Sequence, residues 1–256
     1  MSKIMAIVNQ KGGVGKTTTA INLSAYLAKF GRNVLIIDLD PQANSTSGLG
    51  VEKKNLNNTI YELLLGEKNI HSAKIATNVP NLDIIPADKD LSGATIELLS
   101  ATKREYILKN IVSHLELVYD YIIIDCPPAL NILTLNALVA SNSIIVPMQC
   151  EYFALEGLSQ LFDTVNLIKN SLNPKLYIEG IVFTMYDGRT KLSLEVVENV
   201  KQNISSDIFT TIVPRNIRLS EAPSHGLPIL LYEPKSRGAE AYEILAKIVD
   251  TRRGKF

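Results

Sequence analysis

The chain has 256 residues, of which 46% are hydrophobic and 20% are charged, and this composition excludes an intrinsically disordered protein. Lys plus Arg and Asp plus Glu each number 26, so the net charge of zero does not indicate a general polyanion binder. Two cysteines exclude a disulfide framework, and no apolar run reaches the ~18 residues that span a bilayer, so we expect a cytoplasmic protein.

Short apolar runs alternate with longer amphipathic stretches along the chain. The apolar runs predict buried strands at Ile4–Val8, Val34–Ile37, Leu82–Ile85, Tyr121–Ile124, Ser143–Val146, Ile178–Phe183 and Phe209–Val213. The amphipathic stretches predict helices at Thr17–Phe30, Thr59–Leu65, Thr102–Leu117, Asn131–Ala140, Leu158–Lys169, Leu192–Gln202 and Ala239–Val249. Because strands that are apolar throughout are covered on both faces, the pattern predicts an α/β fold. We expect a single doubly wound, mostly parallel sheet flanked by helices, in one domain over residues 1–256.

A glycine-rich turn connects the first predicted strand to the first predicted helix. It reads Lys11-Gly12-Gly13-Val14-Gly15-Lys16-Thr17-Thr18. Backbone N–H groups in such a turn, together with the helix N-terminus, bind phosphate, so the turn predicts an ATP site. Lys16 would reach the β- and γ-phosphates and the Thr17 hydroxyl would bind magnesium. The ordinary motif G-x-x-x-x-G-K-[ST] requires glycine where this chain has Gln10, and a second lysine, Lys11, follows it.

An acidic residue, Asp125, closes the apolar run Tyr121–Ile124. A carboxylate at the end of a buried strand next to a phosphate-binding turn suits the role of holding magnesium through water. The prolines of Cys126-Pro127-Pro128 cannot continue the strand. We therefore expect this segment to be a switch near the γ-phosphate.

A second pair of carboxylates, Asp38 and Asp40, follows the second predicted strand. The two side chains point the same way if the chain is extended. Asp40 is the candidate for orienting the attacking water, because phosphoryl transfer depends on positioning and charge stabilisation. Asp38 is either structural or near the magnesium. The alternative for Asp40-Pro41 is a turn-forming Asp-Pro pair.

Several segments resemble those of the ParA/MinD superfamily, in particular the ParA (Soj) partition ATPases. The turn Lys11–Thr18 looks like the deviant Walker A motif of that superfamily. The other similar segments span most of the chain and are Asp38–Gly50, Asp125–Pro128, Pro147–Gly157, Asp187–Thr190 and Pro214–Gly226. The resemblance therefore covers the full length of the protein.

The resemblance implies an ATP-driven homodimer that binds double-stranded DNA without sequence preference. Lys11 would reach into the partner's site, so the catalytic residues would be Lys11, Lys16 and Asp40, and Pro214 and Asn216 would lie against the adenine. A ParB-type centromere-binding protein would stimulate slow hydrolysis, and the ATP form would associate with the nucleoid. The matching basic residues for DNA are Arg189 and Arg218, with weaker candidates at Lys201, Arg215 and Lys235. Composition alone favours an ordinary solvated surface at these positions.

Three alternatives on the same scaffold differ in what accompanies the ATP site. A MinD-type membrane ATPase needs a C-terminal amphipathic helix, whereas this chain ends Thr251-Arg-Arg-Gly-Lys-Phe256, with Phe256 as the one remaining anchor. A nitrogenase-like reductase needs paired cluster ligands, which Cys126 and Cys150 do not supply. An ATP-dependent metabolic ligase needs a pocket for an organic substrate beside the γ-phosphate, and fold alone leaves this alternative open.

Overall fold

One eight-stranded sheet forms the centre of the computed structural model, which describes residues 2–54, 56, 58–115 and 117–254. The strands are β1 (Lys3–Ile7), β2 (Val34–Asp38), β3 (Ile75–Ala76), β4 (Leu82–Ile85), β5 (Tyr121–Asp125), β6 (Ser143–Gln149), β7 (Tyr177–Tyr186) and β8 (Phe209–Pro214). Their order in the sheet is β3-β4-β2-β5-β1-β6-β7-β8. The β3–β4 pair is antiparallel, and the other neighbours are parallel.

Helices cover both faces of the sheet. The first six are α1 (Lys16–Lys29), α2 (Asn44–Gly48), α3 (Ile60–Leu64), α4 (Ile70–Ala73), α5 (Leu91–Glu97) and α6 (Ile107–Ser113). The remaining six are α7 (Ile132–Ala140), α8 (Ala154–Ser171), α9 (Lys191–Asn203), α10 (Ile217–Glu221), α11 (Ile229–Tyr232) and α12 (Arg237–Thr251). Short 3₁₀ turns occur at Leu98–Ser100, Arg104–Tyr106 and Ala222–His225.

Two hydrophobic cores lie on opposite faces of the sheet because successive strand side chains alternate between them. In β1, Ile4 and Ala6 face the core formed with α3 to α9. Met5 and Ile7 of the same strand face the core formed with α1 and α12. These two layers of helices confirm the predicted doubly wound, mostly parallel α/β fold.

The seven predicted strands are all present, and the differences from prediction lie in short elements. The strand β3 was missed, as were α2, α4, α5, α10 and α11. The helix predicted at Thr102–Leu117 is shorter, because Lys103 has a left-handed backbone with φ of 53° and regular α-helix begins only at Ile107. Phe256 lies outside the described residues.

A buried ion pair lies at the edge of the sheet where β1, β6 and β7 begin. The Lys3 ammonium is 2.5 Å from Oε1 of Glu179, and the Ser143 hydroxyl donates to Oε2 at 2.7 Å. Lys3 is 7% exposed and Glu179 is fully buried.

Among the described residues, no helix is both long and apolar enough to cross a bilayer. The opposite edge, where the parallel strands end, carries the candidate site.

Candidate nucleotide-binding site

The phosphate-binding turn runs from the end of β1 to the start of α1. Gly13 and Gly15 have φ of +72° and +85°, a region that side-chain-bearing residues rarely adopt. Gly15 is the N-cap of α1, and no side chain caps that end of the helix. The first N–H groups of α1 are therefore available to a bound anion, as predicted for a phosphate site.

The turn is fixed by side chains from the two strands beyond β1. The Gln149 amide donates to the carbonyl of Gly13 at 2.9 Å, and the Thr184 hydroxyl donates to the carbonyl of Val14 at 2.7 Å. Both residues stand near the ends of β6 and β7, so the sheet itself sets the shape of the turn. Their contribution was not predicted, because they lie far from the glycine motif in sequence.

The two lysines of the turn occupy different environments. Lys16 is 7% exposed, and its ammonium donates to the carbonyl of Lys11 at 3.1 Å. Burial lowers the pKa of Lys16, and the nearby Asp125 opposes that shift. The Lys11 side chain is 51% exposed and forms an ion pair with Glu151 at the exposed start of the turn. Lys16 is thus buried within its own turn, whereas Lys11 is presented at the surface.

Asp38 is fully buried and fully hydrogen-bonded. Its Oδ2 accepts hydrogen bonds from the Thr46 N–H at 2.8 Å and the Thr46 hydroxyl at 2.7 Å. Its Oδ1 accepts from the Asp40 N–H at 3.2 Å. Burial raises the pKa of the Asp38 carboxyl. These contacts join the end of β2 to α2, which is a structural role.

Asp40 is 8% exposed at the start of the loop that leads to α2. Its Oδ1 accepts a hydrogen bond from the Gln42 N–H at 2.9 Å, and its carbonyl accepts from the Ala43 N–H at 2.8 Å. These contacts form the Asp-Pro turn that the sequence offers as the alternative to a catalytic role. The position at the carboxyl edge of the sheet is also the one that the catalytic role requires.

Asp125 ends β5 beside Asp38, its register partner on β2. Asp125 is fully buried; its Oδ2 accepts from the Ser45 hydroxyl at 2.7 Å, and no described residue hydrogen-bonds its Oδ1. The Thr17 side chain faces this carboxyl. Burial, followed by the neighbouring Asp38, raises the pKa of Asp125. A buried carboxylate oxygen without a partner, next to a second carboxylate and a threonine hydroxyl, fits a hard cation such as magnesium.

A cavity of about 490 Å³ adjoins the turn. It is bounded on one side by Gly15, Thr17 and Thr18. Its other side is formed by the end of β8 and the residues that follow it, including Pro214 and Asn216, and by Met185 of β7. The structure therefore brings Pro214 and Asn216 to the same cavity as the start of α1, about 200 residues away in sequence. Most of the exposed wall surface is apolar and polar side chains are interspersed along it, which suits a planar base with hydrogen-bonding edges.

Two glycines join α2 to the segment that borders the cavity. Gly50 follows α2 with φ of +80°, and Gly226 ends the 3₁₀ turn Ala222–His225 with φ of +65°. A Cβ on Gly226 would lie 2.6 Å from the Cα of Gly50, so the two backbones are in direct contact. Only glycine fits at this crossing.

The predicted basic residues lie at the surface, and the two main candidates, Arg189 and Arg218, each lie next to an acid. Both Nε and Nη2 of Arg189 donate to the Asp187 carboxylate, at 2.8 and 2.6 Å, and these hydrogen bonds lower the pKa of Asp187. Arg218 donates to Glu221 at 2.8 Å. Lys201, Arg215 and Lys235 are exposed. Arg218 and Arg215 lie on the segment that borders the cavity, whereas Arg189 lies on the loop before α9.

This chain is similar to known proteins over nearly its whole length. A family model described as an AAA domain matches residues 2–178. The sporulation initiation inhibitor protein Soj of Bacillus subtilis is 55% identical over 97% of this chain and 98% of its own length. The chromosome-partitioning ATPase Soj of Treponema pallidum is 53% identical over 99% of both chains.

A solved structure extends the similarity to the fold. It is cobyrinic acid a,c-diamide synthase from Mycobacterium smegmatis with a bound ATP analogue and magnesium, at 36% identity and a TM-score of 0.86. The alignment covers 98% of this chain and 96% of that one. With relatives this similar over nearly the whole length, and with the glycine turn formed as the motif predicts, the chain belongs to the Soj/ParA family of chromosome-partitioning ATPases.

Proposed function

We propose that this protein is an ATP-dependent DNA-segregation switch formed by one P-loop domain over residues 1–256. ATP binding joins two copies in a sandwich, and the homodimer binds double-stranded DNA without sequence preference. Slow hydrolysis, stimulated by a ParB-type centromere-binding partner, releases the DNA. The protein works in the cytoplasm and associates with the nucleoid in its ATP form. The DNA is a chromosome or a plasmid.

The nucleotide is held between the glycine turn on one side and the end of β8 with the residues that follow it on the other. The phosphates bind to the backbone of Lys11–Thr18 and to the Lys16 ammonium, and the base lies in the cavity against Pro214 and Asn216. Thr17 would bind magnesium directly and Asp125 would hold it through water. The ion would supply positive charge that offsets the charge of the β- and γ-phosphates. The Asp125 oxygen that lacks a described partner supports this assignment.

The contrast between Lys11 and Lys16 carries the proposal of a dimer. Lys16 is buried in its own turn, whereas Lys11 is half-exposed at the surface, where Glu151 is the one described residue that pairs with its side chain. An exposed ammonium beside a phosphate site can reach the triphosphate of a second copy. Charge supplied in trans to a phosphoryl group raises hydrolysis rates by roughly 10³–10⁵ in other NTPases.

Asp40 positions the attacking water in this scheme. It is 8% exposed and lies at the same sheet edge as Asp125. Its carboxylate would orient the water toward the γ-phosphate, while Lys11 and Lys16 hold the charge that develops there. The hydrogen bond from Gln42 fixes the loop that carries it.

Arg189 and Arg218 form the core of the DNA-binding surface. Few cations per subunit bind DNA weakly, because nonspecific affinity comes from phosphate neutralisation and falls steeply with salt. A dimer doubles the contacts on one face, which makes DNA binding depend on ATP. The described C-terminal helix α12 buries residues such as Leu245 and Val249 in the core, which favours DNA over a membrane as the surface that is bound.

The test is DNA retention with ATP, with ADP and without nucleotide, across a salt series. We expect retention only with ATP, and a loss that is linear in the logarithm of salt concentration. Lys16→Ala should abolish both nucleotide binding and retention. Equal retention in all three nucleotide states, or normal ATP affinity of Lys16→Ala, contradicts the proposal.

A metabolic ligase is the second candidate, because one of the similar solved structures carries the name of a diamide synthase. A ligase consumes ATP in step with an organic product, whereas a partition switch hydrolyses ATP slowly and responds to DNA. Hydrolysis by the purified protein that rises with DNA, in the absence of an organic acceptor, favours the switch.

A further inference from the structure

The helix α2 places two neighbouring hydroxyls on two buried carboxylates. The Ser45 hydroxyl donates to Oδ2 of Asp125 at 2.7 Å, and the Thr46 hydroxyl donates to Oδ2 of Asp38 at 2.7 Å. All four residues are essentially inaccessible to solvent. Neither hydroxyl was assigned a role from the sequence, although both lie in the segment that follows Asp40.

The two contacts leave the two carboxylates in different states. Asp38 has hydrogen bonds on both oxygens, so its orientation is fully determined. Asp125 has one on Oδ2 only, and no described residue hydrogen-bonds Oδ1. Ser45 therefore fixes the rotation of the Asp125 carboxyl and leaves one defined oxygen available beside Thr17.

We propose that Ser45 is a positioning residue for magnesium: its hydroxyl orients Asp125 so that the second carboxylate oxygen faces the cation site. This inference rests on the magnesium role proposed above for Asp125. The Ser45 hydroxyl does not touch the cation. It acts through Asp125, in the way that outer hydrogen-bond partners orient ligands at other metal sites.

Loss of such a partner lowers metal affinity by about 10- to 100-fold elsewhere. Without the hydroxyl, the Asp125 carboxyl loses the hydrogen bond that fixes its Oδ2, and of the two side chains that face it only Thr17 remains. Ser45→Ala should therefore weaken magnesium-dependent ATP binding by at least about tenfold. Binding of ATP without magnesium should change little, because Ser45 does not border the cavity.

The experiment is a titration of a fluorescent ATP analogue, in EDTA and across a magnesium series, with Ser45→Ala and Ser143→Ala. Ser143 is the matched control, because its hydroxyl also donates to a buried carboxylate, Glu179, at 2.7 Å, but at the opposite edge of the sheet. Thermal unfolding of the nucleotide-free variants compares their stability. Ser45→Cys, which is nearly isosteric and a weak donor, replaces Ser45→Ala if the latter does not fold.

We expect both serine variants to lose similar stability, and only the Ser45 variants to lose the gain in affinity that magnesium provides. An unchanged magnesium gain in Ser45→Ala or Ser45→Cys overturns the inference and leaves Ser45 a structural residue. Asp125→Asn distinguishes this result from a failure of the proposed function. If Asp125→Asn also keeps the full gain, the magnesium site itself is wrongly assigned.

Discussion

Lys11 and Glu151 form an ion pair within one subunit, at the mouth of the phosphate-binding turn. Both side chains are about half exposed, at 51% and 48%. The proposed dimer needs this lysine at the partner's triphosphate. The pair must therefore open when two subunits meet, and Glu151 competes with the incoming phosphates for Lys11.

Lys11→Ala should keep ATP bound to the monomer and prevent dimerisation, because Lys16 and the backbone of the turn remain in place. Glu151→Gln should lower the protein concentration at which ATP drives dimerisation, by less than about fivefold, because exposed ion pairs are weak. Sedimentation with a slowly hydrolysed analogue measures both. ATP-driven dimers of Lys11→Ala with wild-type affinity would falsify the role of Lys11 in trans.

Asp40→Ala and Asp40→Asn separate a catalytic carboxylate from a turn-forming one. Asn keeps the side-chain oxygen that accepts from the Gln42 N–H, but it removes the charge. Both variants should bind ATP and dimerise, and both should lose hydrolysis by at least about 100-fold if the carboxylate orients the water. Phosphate release under single-turnover conditions is the readout. If Asp40→Asn hydrolyses ATP at a near-normal rate and Asp40→Ala does not, the role of Asp40 is to form the turn.

Gly12→Val should bind ATP and fail to dimerise. No described atom other than those of chain neighbours lies within 4 Å of the position of a Cβ on Gly12, so the monomer accepts a side chain there. In the proposed dimer, by contrast, a valine side chain at this position would keep the two turns from approaching each other. Gly13→Val is the contrasting variant, since φ of +72° makes any side chain strained and should weaken ATP binding itself. Nucleotide titration and sedimentation of both variants check the distinction, and normal dimerisation of Gly12→Val contradicts it.

The acidic neighbours of the arginines should restrain DNA binding. Asp187→Asn and Glu221→Gln release Arg189 and Arg218 from their hydrogen-bonded carboxylates and remove two negative charges. Retention of DNA by the ATP form should then increase and show a steeper dependence on salt. Arg189→Glu with Arg218→Glu should abolish retention and spare dimerisation. If neither pair of variants alters retention at low salt, the DNA surface lies elsewhere.

The pair of Lys3 and Glu179 should matter for stability alone. Glu179→Gln leaves a buried ammonium without its counter-charge, which typically costs about 3–5 kcal/mol of unfolding free energy. Lys3→Met combined with Glu179→Leu should recover most of that loss, because neither charge remains buried. Urea unfolding provides the free energies. ATP affinity should stay unchanged in the double variant, since the pair lies at the edge of the sheet opposite the site.

The main strands were predictable because apolar residues dominate each of them, as burial on both faces requires, although Leu82–Ile85, Ile178–Phe183 and Phe209–Val213 also contain polar residues. The strand β3 was not, since Ile75–Ala76 is too short for a pattern. The helix α2 was missed for a different reason. Its sequence Asn-Ser-Thr-Ser-Gly has low helix propensity, and its contacts with Asp38 and Asp125 come from distant strands.

The residues of the candidate site also fall into two groups: those that the sequence could predict and those that only the fold brings together. Lys16 and Thr17 could be predicted as site residues because a contiguous motif places them on one turn. Pro214 and Asn216 came from family resemblance, and the structure places both at the cavity. Gln149 and Thr184 hold the turn through the order of β1, β6 and β7 in the sheet, and no local pattern encodes that order.

The crossing at Gly50 and Gly226 holds the backbone that follows α2 directly against the backbone that follows the 3₁₀ turn Ala222–His225. With no side chain between them, there is nothing to rotate aside and absorb a shift. A side chain at either glycine would force α2, whose Ser45 and Thr46 hold the carboxylates Asp125 and Asp38, away from the stretch that carries Arg215 and Arg218. The distance between the buried carboxylates and these two arginines therefore depends on the absence of a side chain at this crossing.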